Sequence, residues 1–235
     1  MTIRILLAAL AAAPLSVVPS VATAQAAATP SPEAMTLAQR VQPEDLYLET
    51  AEPGFLLGLR LAVANEETMP EGVDSGAYIA DLHAQAWPIF REELRARLPE
   101  LQRELAIMYD AKLATHEMVS YADFLAGSTG RKFLAASMQS LSMDDVEALI
   151  RQNGTISQEQ LMQLSAGAGM RAAQSMSAEE QAEIAAFEAD NLDALMRVAP
   201  EAAAISQRFA MAPPSEATQK AIAAQIKQAK ARHGL

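Results

Sequence analysis

Histidines and nearby acids are the residues of this chain best suited to metal binding or proton transfer. The chain has three histidines and no cysteine. Asp81 and His83 would point about 200 degrees apart on a helix, so they could not share a metal ion. His116-Glu117 begins the zinc pattern H-E-x-x-H, but Ser120 occupies the position of the second histidine. These spacings predict no metal site.

Other patterns with known chemistry are also incomplete. Residues 167–172 read G-A-G-M-R-A, which matches the dinucleotide pattern G-x-G-x-x-A by letters. A nucleotide site needs a strand before these glycines, and the preceding segment is helical in character. We therefore interpret the glycines as a helix break or a close helix crossing. Adjacent carboxylates such as Glu92-Glu93 are typical of a solvated helix surface.

Methionine is the remaining indication of a cofactor, because thioethers bind Cu(I). The chain has 12 methionines but no M-x-x-M cluster. Five of them fall on the apolar faces of predicted helices, where methionine usually fills the core: Met108, Met118, Met138, Met162 and Met196. We predict no cofactor.

The composition predicts a folded, helical and acidic protein. Apolar residues make up 51% of the chain, and its formal net charge is −11. A chain this acidic repels nucleic acid, so no nucleic-acid partner is expected. Good helix formers and a 3.6-residue apolar period, without alternating stretches, predict an all-α multi-helix bundle of short amphipathic helices. Pro99 is predicted to start or kink a helix, and Pro200 to begin another.

The first residues have the pattern of a secretory signal. A basic start ending at Arg4 precedes the apolar stretch 5–18, and small residues end at Ala24. This order predicts a cleavable signal peptide over 1–24, followed by a flexible tether over 25–32. The apolar stretch is too short to span a membrane, so no transmembrane anchor is expected after cleavage. The periplasm is the predicted location, with full secretion as the alternative.

The rest of the chain divides into a helical domain over 33–140 and a second helical half over 141–235, packed on the first. An internal echo at an offset of 62 residues links the halves. Thr115 and the pair Phe133-Leu134 recur as Ser177 and Leu195-Met196. Two interpretations stay open. The echo indicates either two repeated helical-hairpin halves or a coincidence between helical patterns.

The most distinctive segment is predicted to form a corner between two helices. Phe124 and Phe133 lie on consecutive helices, with Gly127 and Gly130 between them. Glycines allow close backbone approach and left-handed torsion angles at such a corner. An alternative function follows from Gly130, Arg131 and Lys132, because free N–H groups and two cations at a helix start could receive an anion or a partner.

The same segment resembles the domain-of-unknown-function 2059 family of bacterial exported proteins. The resemblance covers about 60 residues around 80–140 and is carried by Phe124, Ser128 and Gly130-Arg131-Lys132. Leu125 and Thr129 stand where that family usually has Tyr and Pro. The resemblance implies an exported all-helical fold and implies no activity.

Because the catalytic patterns are incomplete, the sequence favours a non-catalytic binding or interaction module. Its working surface would be apolar grooves between helices, lined by aromatic residues: Trp87, Phe90, Phe124 and Phe133. The expected occupant is a protein partner, a lipid-like apolar ligand or a second copy of the chain. The alternative is an envelope hydrolase in which carboxylates converge with Tyr109 or Tyr121 only in three dimensions.

Overall fold

The computed structural model describes residues 29–64, 74–140, 143–153 and 158–235. All regular elements in this part of the chain are helices, which confirms the predicted all-α multi-helix bundle. In chain order they are α1 (Pro32–Val41), α2 (Glu44–Ala64), α3 (Ser75–Lys112), α4 (Thr115–Ala126), α5 (Ser128–Gln139), α6 (Met143–Asn153), α7 (Gln158–Gln174), α8 (Ala178–Met211) and α9 (Glu216–His233). The predicted signal peptide, residues 1–24, lies outside the described residues.

The helical structure begins earlier than the predicted tether allows. Ser31 is the N-cap of α1, and its hydroxyl accepts the Ala34 N–H at 3.2 Å. The Ser31 backbone N–H in turn donates to the Asp110 carboxylate of α3. A flexible tether reaching residue 32 is therefore wrong at its last two residues, because a cap and a long-range hydrogen bond hold them.

Helix α3 is the centre of the bundle and packs against α1, α2, α8 and α9. Its buried side chains recur every three or four residues, which places them along one side of the helix. They include Tyr78, Leu82, Ala86, Phe90, Leu94, Leu98, Leu101, Leu105 and Met108. These residues belong to a hydrophobic core that also takes in residues of α8 and α9. Both halves of the chain thus contribute to the packing around α3.

Pro200 does not begin a helix as the sequence predicts, and Pro99 does not start one, because both lie inside longer helices. Pro53 lies inside α2, Pro88 and Pro99 inside α3, and Pro200 inside α8. All four prolines are exposed. Each removes one backbone hydrogen bond, and on the solvent side water reaches the freed carbonyl. The rows of buried side chains on either side of each proline stabilise one continuous helix. As a result, α3 and α8 are longer than the short helices that the sequence predicts.

Helix α9 is fastened to α3 at both ends by carboxylates. At its start, Glu93 accepts hydrogen bonds from the Ser215 N–H and hydroxyl and from the Thr218 hydroxyl, at 2.8 to 2.9 Å. Burial alone would raise the pKa of Glu93, but these hydrogen bonds outweigh it and the pKa is lowered. At the other end, Arg232 lies 2.9 Å from the Asp81 carboxylate. The two helices therefore run antiparallel.

The internal echo does not correspond to two copies of one hairpin. Its first member spans α4, the corner and α5, whereas its second member lies within the continuous helix α8. The caps differ too. Ser177 caps α8 with its hydroxyl, whereas Ala114 rather than Thr115 is the N-cap of α4. Among the described helices, the echo is a similarity of helical pattern only.

Candidate functional site

An apolar cavity of about 730 Å³ lies between α2, α4, α5, α7 and α8. Five aromatic residues line it: Tyr109, Tyr121, Phe124, Phe133 and Phe187. Most of its other walls are aliphatic or methionine side chains. Ligand pockets in proteins typically have volumes of about 300 to 1,000 Å³ and are mainly apolar. The cavity therefore has the size and lining of a small-molecule site.

The aromatic wall is built where α8 crosses α4. The Phe124 and Phe187 rings stack with centroids 4.0 Å apart and planes 4° from parallel. Tyr121 lies one helical turn before Phe124, and its ring centroid is 5.4 Å from that of Phe187. Stacked rings of this kind stabilise the helix crossing and present rigid surfaces to the cavity.

The opposite wall is open because α7 presents small side chains. Ala168, Gly169 and Ala173 line the cavity from this helix. A Cβ atom added to Gly169 would meet no heavy atom within 4 Å. The glycines of residues 167–172 therefore mark neither a helix break nor a close crossing, since α7 is continuous and Gly169 faces open space. Gly169 instead forms part of the cavity wall.

The mouth of the cavity combines exposed thioethers with carboxylates. Met170 and Met196 line the cavity although their exposed fractions are 64% and 68%. Glu49 and Glu188 are exposed lining residues, and Glu49 accepts a hydrogen bond from the Gln139 amide at 3.2 Å. The prediction that Met196 fills the core is therefore wrong.

Other predicted core methionines behave as expected. Met108 and Met118 are buried, and Met138 is half-buried in the cavity wall. The side chain of Met162 lies outside the described residues.

The polar groups inside the cavity are hydroxyls. Burial raises the pKa of Tyr121 to about 12 and raises the pKa of Tyr109 further, with a smaller effect of Tyr121 on Tyr109. Both phenols are therefore protonated near neutral pH and can donate hydrogen bonds. The Ser137 side chain lines the same cavity, and its buried hydroxyl has no hydrogen-bond partner among the described residues.

The cavity wall is held together by polar contacts along α8. Arg197 donates to Glu117 of α4 at 2.6 Å. Near the other end of the wall, the Lys132 ammonium of α5 lies 2.5 Å from Glu180. The Lys132 hydrogen bond, followed by one from the Ser177 N–H, lowers the pKa of Glu180 to about 2. Helix α8 thus bridges α4 and α5 on both sides of their corner.

The predicted corner between α4 and α5 is present and depends on Gly130. A Cβ atom at Gly130 would lie 2.0 Å from the Phe124 carbonyl oxygen, so the two helices approach more closely than any other residue permits. Gly127 has φ −66° and needs no left-handed conformation. The corner therefore requires glycine for close backbone approach and not for a special torsion angle.

The structure shows where the three residues of the predicted anion site lie, which are Gly130, Arg131 and Lys132. Gly130 is buried in the helix crossing, and Lys132 is bound by Glu180. Thr129 donates its hydroxyl to Glu183 at 2.6 Å. The Arg131 side chain is exposed and makes no hydrogen bond or ion pair with the described residues. The segment is a structural corner closed by carboxylates of α8, which leaves one cation of the predicted anion site unpaired.

The four aromatic residues predicted to line grooves divide between two places. Phe124 and Phe133 line the cavity. Trp87 and Phe90 are buried in a separate cluster, where the Phe90 ring stacks on Phe55 at a centroid distance of 5.0 Å. Trp87 lies 5.6 Å from the same ring. They face no described pocket.

The histidines are likewise dispersed among structural contacts. His83 stacks on Trp87, and His233 packs edge-on against Tyr78. His116 is exposed in the first turn of α4. Within the described ranges, no group of three or more His, Asp or Glu residues could hold a metal ion.

Comparisons with protein-family models, with curated proteins and with solved structures give no match to this chain. The resemblance to the domain-of-unknown-function 2059 family therefore stays a prediction. Sequence reasoning missed Glu49, Gly169 and Glu188 as lining residues. Sequence reasoning gave Phe187 no place in the site, because no local signal marks which apolar helix face borders a cavity.

Proposed function

We propose that this protein is a non-catalytic binding module that takes an apolar small molecule into the cavity between α2, α4, α5, α7 and α8. The observation that carries the proposal is the cavity itself, with its volume of about 730 Å³ and its aromatic and aliphatic lining. Concave sites of this volume with a mainly apolar lining and a few polar groups are typical of small-molecule binding sites.

The exposed methionines support a ligand that enters from solvent. Met170 and Met196 line the cavity, and most of each side chain is exposed to solvent. Methionine is flexible and polarizable, and it adapts to apolar ligands of different shape. A small apolar molecule therefore fits this site better than a partner helix, which would need an extended groove along one face.

A hydrolase is the less favoured alternative, although both of its predicted tyrosines line the cavity. A general acid or base works best when its pKa lies near the working pH. The raised pKa values of Tyr109 and Tyr121 keep both phenols protonated, which suits hydrogen bonding to a ligand and not proton abstraction.

Export is the second part of the proposal. The signal pattern over 1–24 and the resemblance to an exported family both support a periplasmic protein. None of the described helices is long and apolar enough to cross a membrane. Fractionation of expressing cells tests this part, and a periplasmic chain that starts at Gln25 is expected. A chain retaining Met1 in the cytoplasm would contradict it.

Titration with a neutral fluorescent apolar probe, N-phenyl-1-naphthylamine, tests ligand binding. We expect saturable binding at one site per chain. Gly169→Trp places an indole in the cavity and should weaken binding at least tenfold. Gly167→Trp, about 200 degrees away on the same helix, is the matched control and should bind as the parent protein does. Thermal denaturation of both variants checks that each is folded.

Two results would overturn the binding proposal. The first is an absence of saturable probe binding to the folded parent protein. The second is equal loss of binding in both tryptophan variants, because that outcome would place the probe site elsewhere on α7.

A further inference from the structure

We propose that the ligand of this cavity is an apolar molecule with a cationic ammonium headgroup. This inference rests on the proposed function and adds the headgroup chemistry to it. Three observations support it. The charged lining residues are acidic, aromatic rings line the cavity, and cations on the surrounding helices are paired with other groups.

The charged residues that line the cavity are all acidic. They are Glu49 and Glu188, and no Lys or Arg is among the described lining residues. Glu188 is exposed and makes no contact with any described residue, while Glu49 has a single amide hydrogen bond from Gln139. The charged lining residues are carboxylates wherever a headgroup lies in this cavity, so they repel an anion and attract a cation.

The aromatic wall adds a second attraction for a cation. Phe187 precedes Glu188 in the chain, and its ring stacks on Phe124 beside Tyr121. The faces of such rings carry negative potential and attract ammonium groups that lie within about 6 Å of the ring centre. Quaternary ammonium groups are commonly recognised by clustered aromatic rings. The lining of this cavity contains both aromatic rings and carboxylates.

Three of the cations on the helices that form the cavity wall are already engaged, and Arg131, which no described residue engages, does not line the cavity. Lys132 is bound by Glu180, and Arg197 by Glu117. Arg171 of α7 donates to the Ser140 carbonyl oxygen at 2.7 Å. None of these three side chains lines the cavity. They are therefore poorly placed to neutralise a carboxylate or phosphate headgroup, whereas the two acids at the mouth remain accessible.

Calorimetric titration with three dodecyl probes tests the headgroup, each below its critical micelle concentration. The probes are dodecyltrimethylammonium, dodecanol and laurate, which share one chain length and differ in charge. We expect dodecyltrimethylammonium to bind about tenfold more tightly than laurate, with dodecanol between them, because two exposed carboxylates each change affinity by a small factor.

Single substitutions locate the source of that preference. Glu188→Gln should weaken dodecyltrimethylammonium binding about threefold and leave dodecanol binding unchanged. Glu100→Gln is the matched control, since it removes one exposed carboxylate of α3 that has no contact and lies outside the cavity. It should leave both affinities unchanged.

The outcomes separate this inference from the proposed function. Tight dodecanol binding without a preference for the ammonium probe would overturn the cationic headgroup and retain the apolar site. Tighter binding of laurate would overturn it as well. Equal effects of Glu188→Gln and Glu100→Gln would show attraction to overall charge and no headgroup site. If no dodecyl probe bound the folded protein, the proposed function itself would fail.

Discussion

Two aromatic clusters in this protein use similar residues and have opposite outcomes. Phe55, Trp87 and Phe90 lie between α2 and α3 and are almost fully buried. Phe124 and Phe187 stack between α4 and α8 but remain half-buried beside a cavity of about 730 Å³. The first cluster is packed on all sides by other side chains, whereas the second lines the cavity.

The difference lies in the helix that faces each cluster. Helix α2 brings buried large side chains to α3, including Leu48, Phe55 and Leu59. Helix α7 brings Ala168, Gly169 and Ala173 to the second cluster, together with Met170, whose side chain is mostly exposed. Aromatic residues alone therefore do not distinguish a filled core from a cavity. The side chains packed opposite them do.

The largest expected change in stability comes from removing a ring of the buried cluster, and removing a ring of the cavity wall should cost less. Phe90→Ala removes a ring that is 4% exposed and should lower the free energy of unfolding by about 4 kcal/mol. Phe133→Ala removes a half-buried ring that already borders the cavity, and it should cost only about 1 kcal/mol. Urea denaturation measures both. Equal losses would contradict the distinction between the two regions.

Glycine substitutions sharpen the comparison within the cavity region. Gly130→Ala forces a Cβ atom against the Phe124 backbone and should destabilise the protein by about 3 kcal/mol. Gly169→Ala adds its Cβ atom to open space and should stabilise α7 by up to about 1 kcal/mol. Thermal and urea denaturation of the two variants provide the measurement. A stabilised Gly130→Ala protein would refute the close helix crossing.

Low pH should lower the stability of the protein by protonating Glu180, and this effect should be smaller than those of the substitutions above. Its folded pKa of about 2 lies below the ordinary value of 4.5. The Lys132–Glu180 contact therefore contributes stability above pH 4.5, and this contribution is lost as the pH falls toward 2.

Urea denaturation at pH 7 and pH 3 tests this effect. Glu180→Gln should reduce the loss of stability between these two values. Glu179→Gln removes a neighbouring carboxylate without removing the Lys132 contact and should keep the full pH dependence. Identical pH profiles for both variants would exclude a role of this ion pair.

The corner was predictable because its determinants are local. Gly127, Gly130 and Phe124 lie within seven residues, and their spacing defines two helices and a close approach. The prolines illustrate what local reasoning misses. Whether Pro99 or Pro200 ends a helix depends on whether it faces water, and that is set by packing against distant helices.

The cavity was not predictable for the same reason. Glu49, Gly169 and Glu188 are far apart in the chain and share a wall only after α2, α7 and α8 have packed together. An empty space has no sequence pattern of its own, because it is defined by the side chains that fail to meet. The apolar periodicity of the sequence predicts the helices, but it does not predict which of their faces line a cavity.

Pro200 interrupts the hydrogen-bond ladder of α8 near the point where this helix leaves the cavity. Residues before it, such as Ile184 and Phe187, form the wall, while Arg208 after it pairs with Glu104 of α3. Helices bend most readily where proline removes a backbone bond. Pro200 therefore marks the position at which a bend in α8 would change the cavity wall without disturbing the Arg208–Glu104 contact.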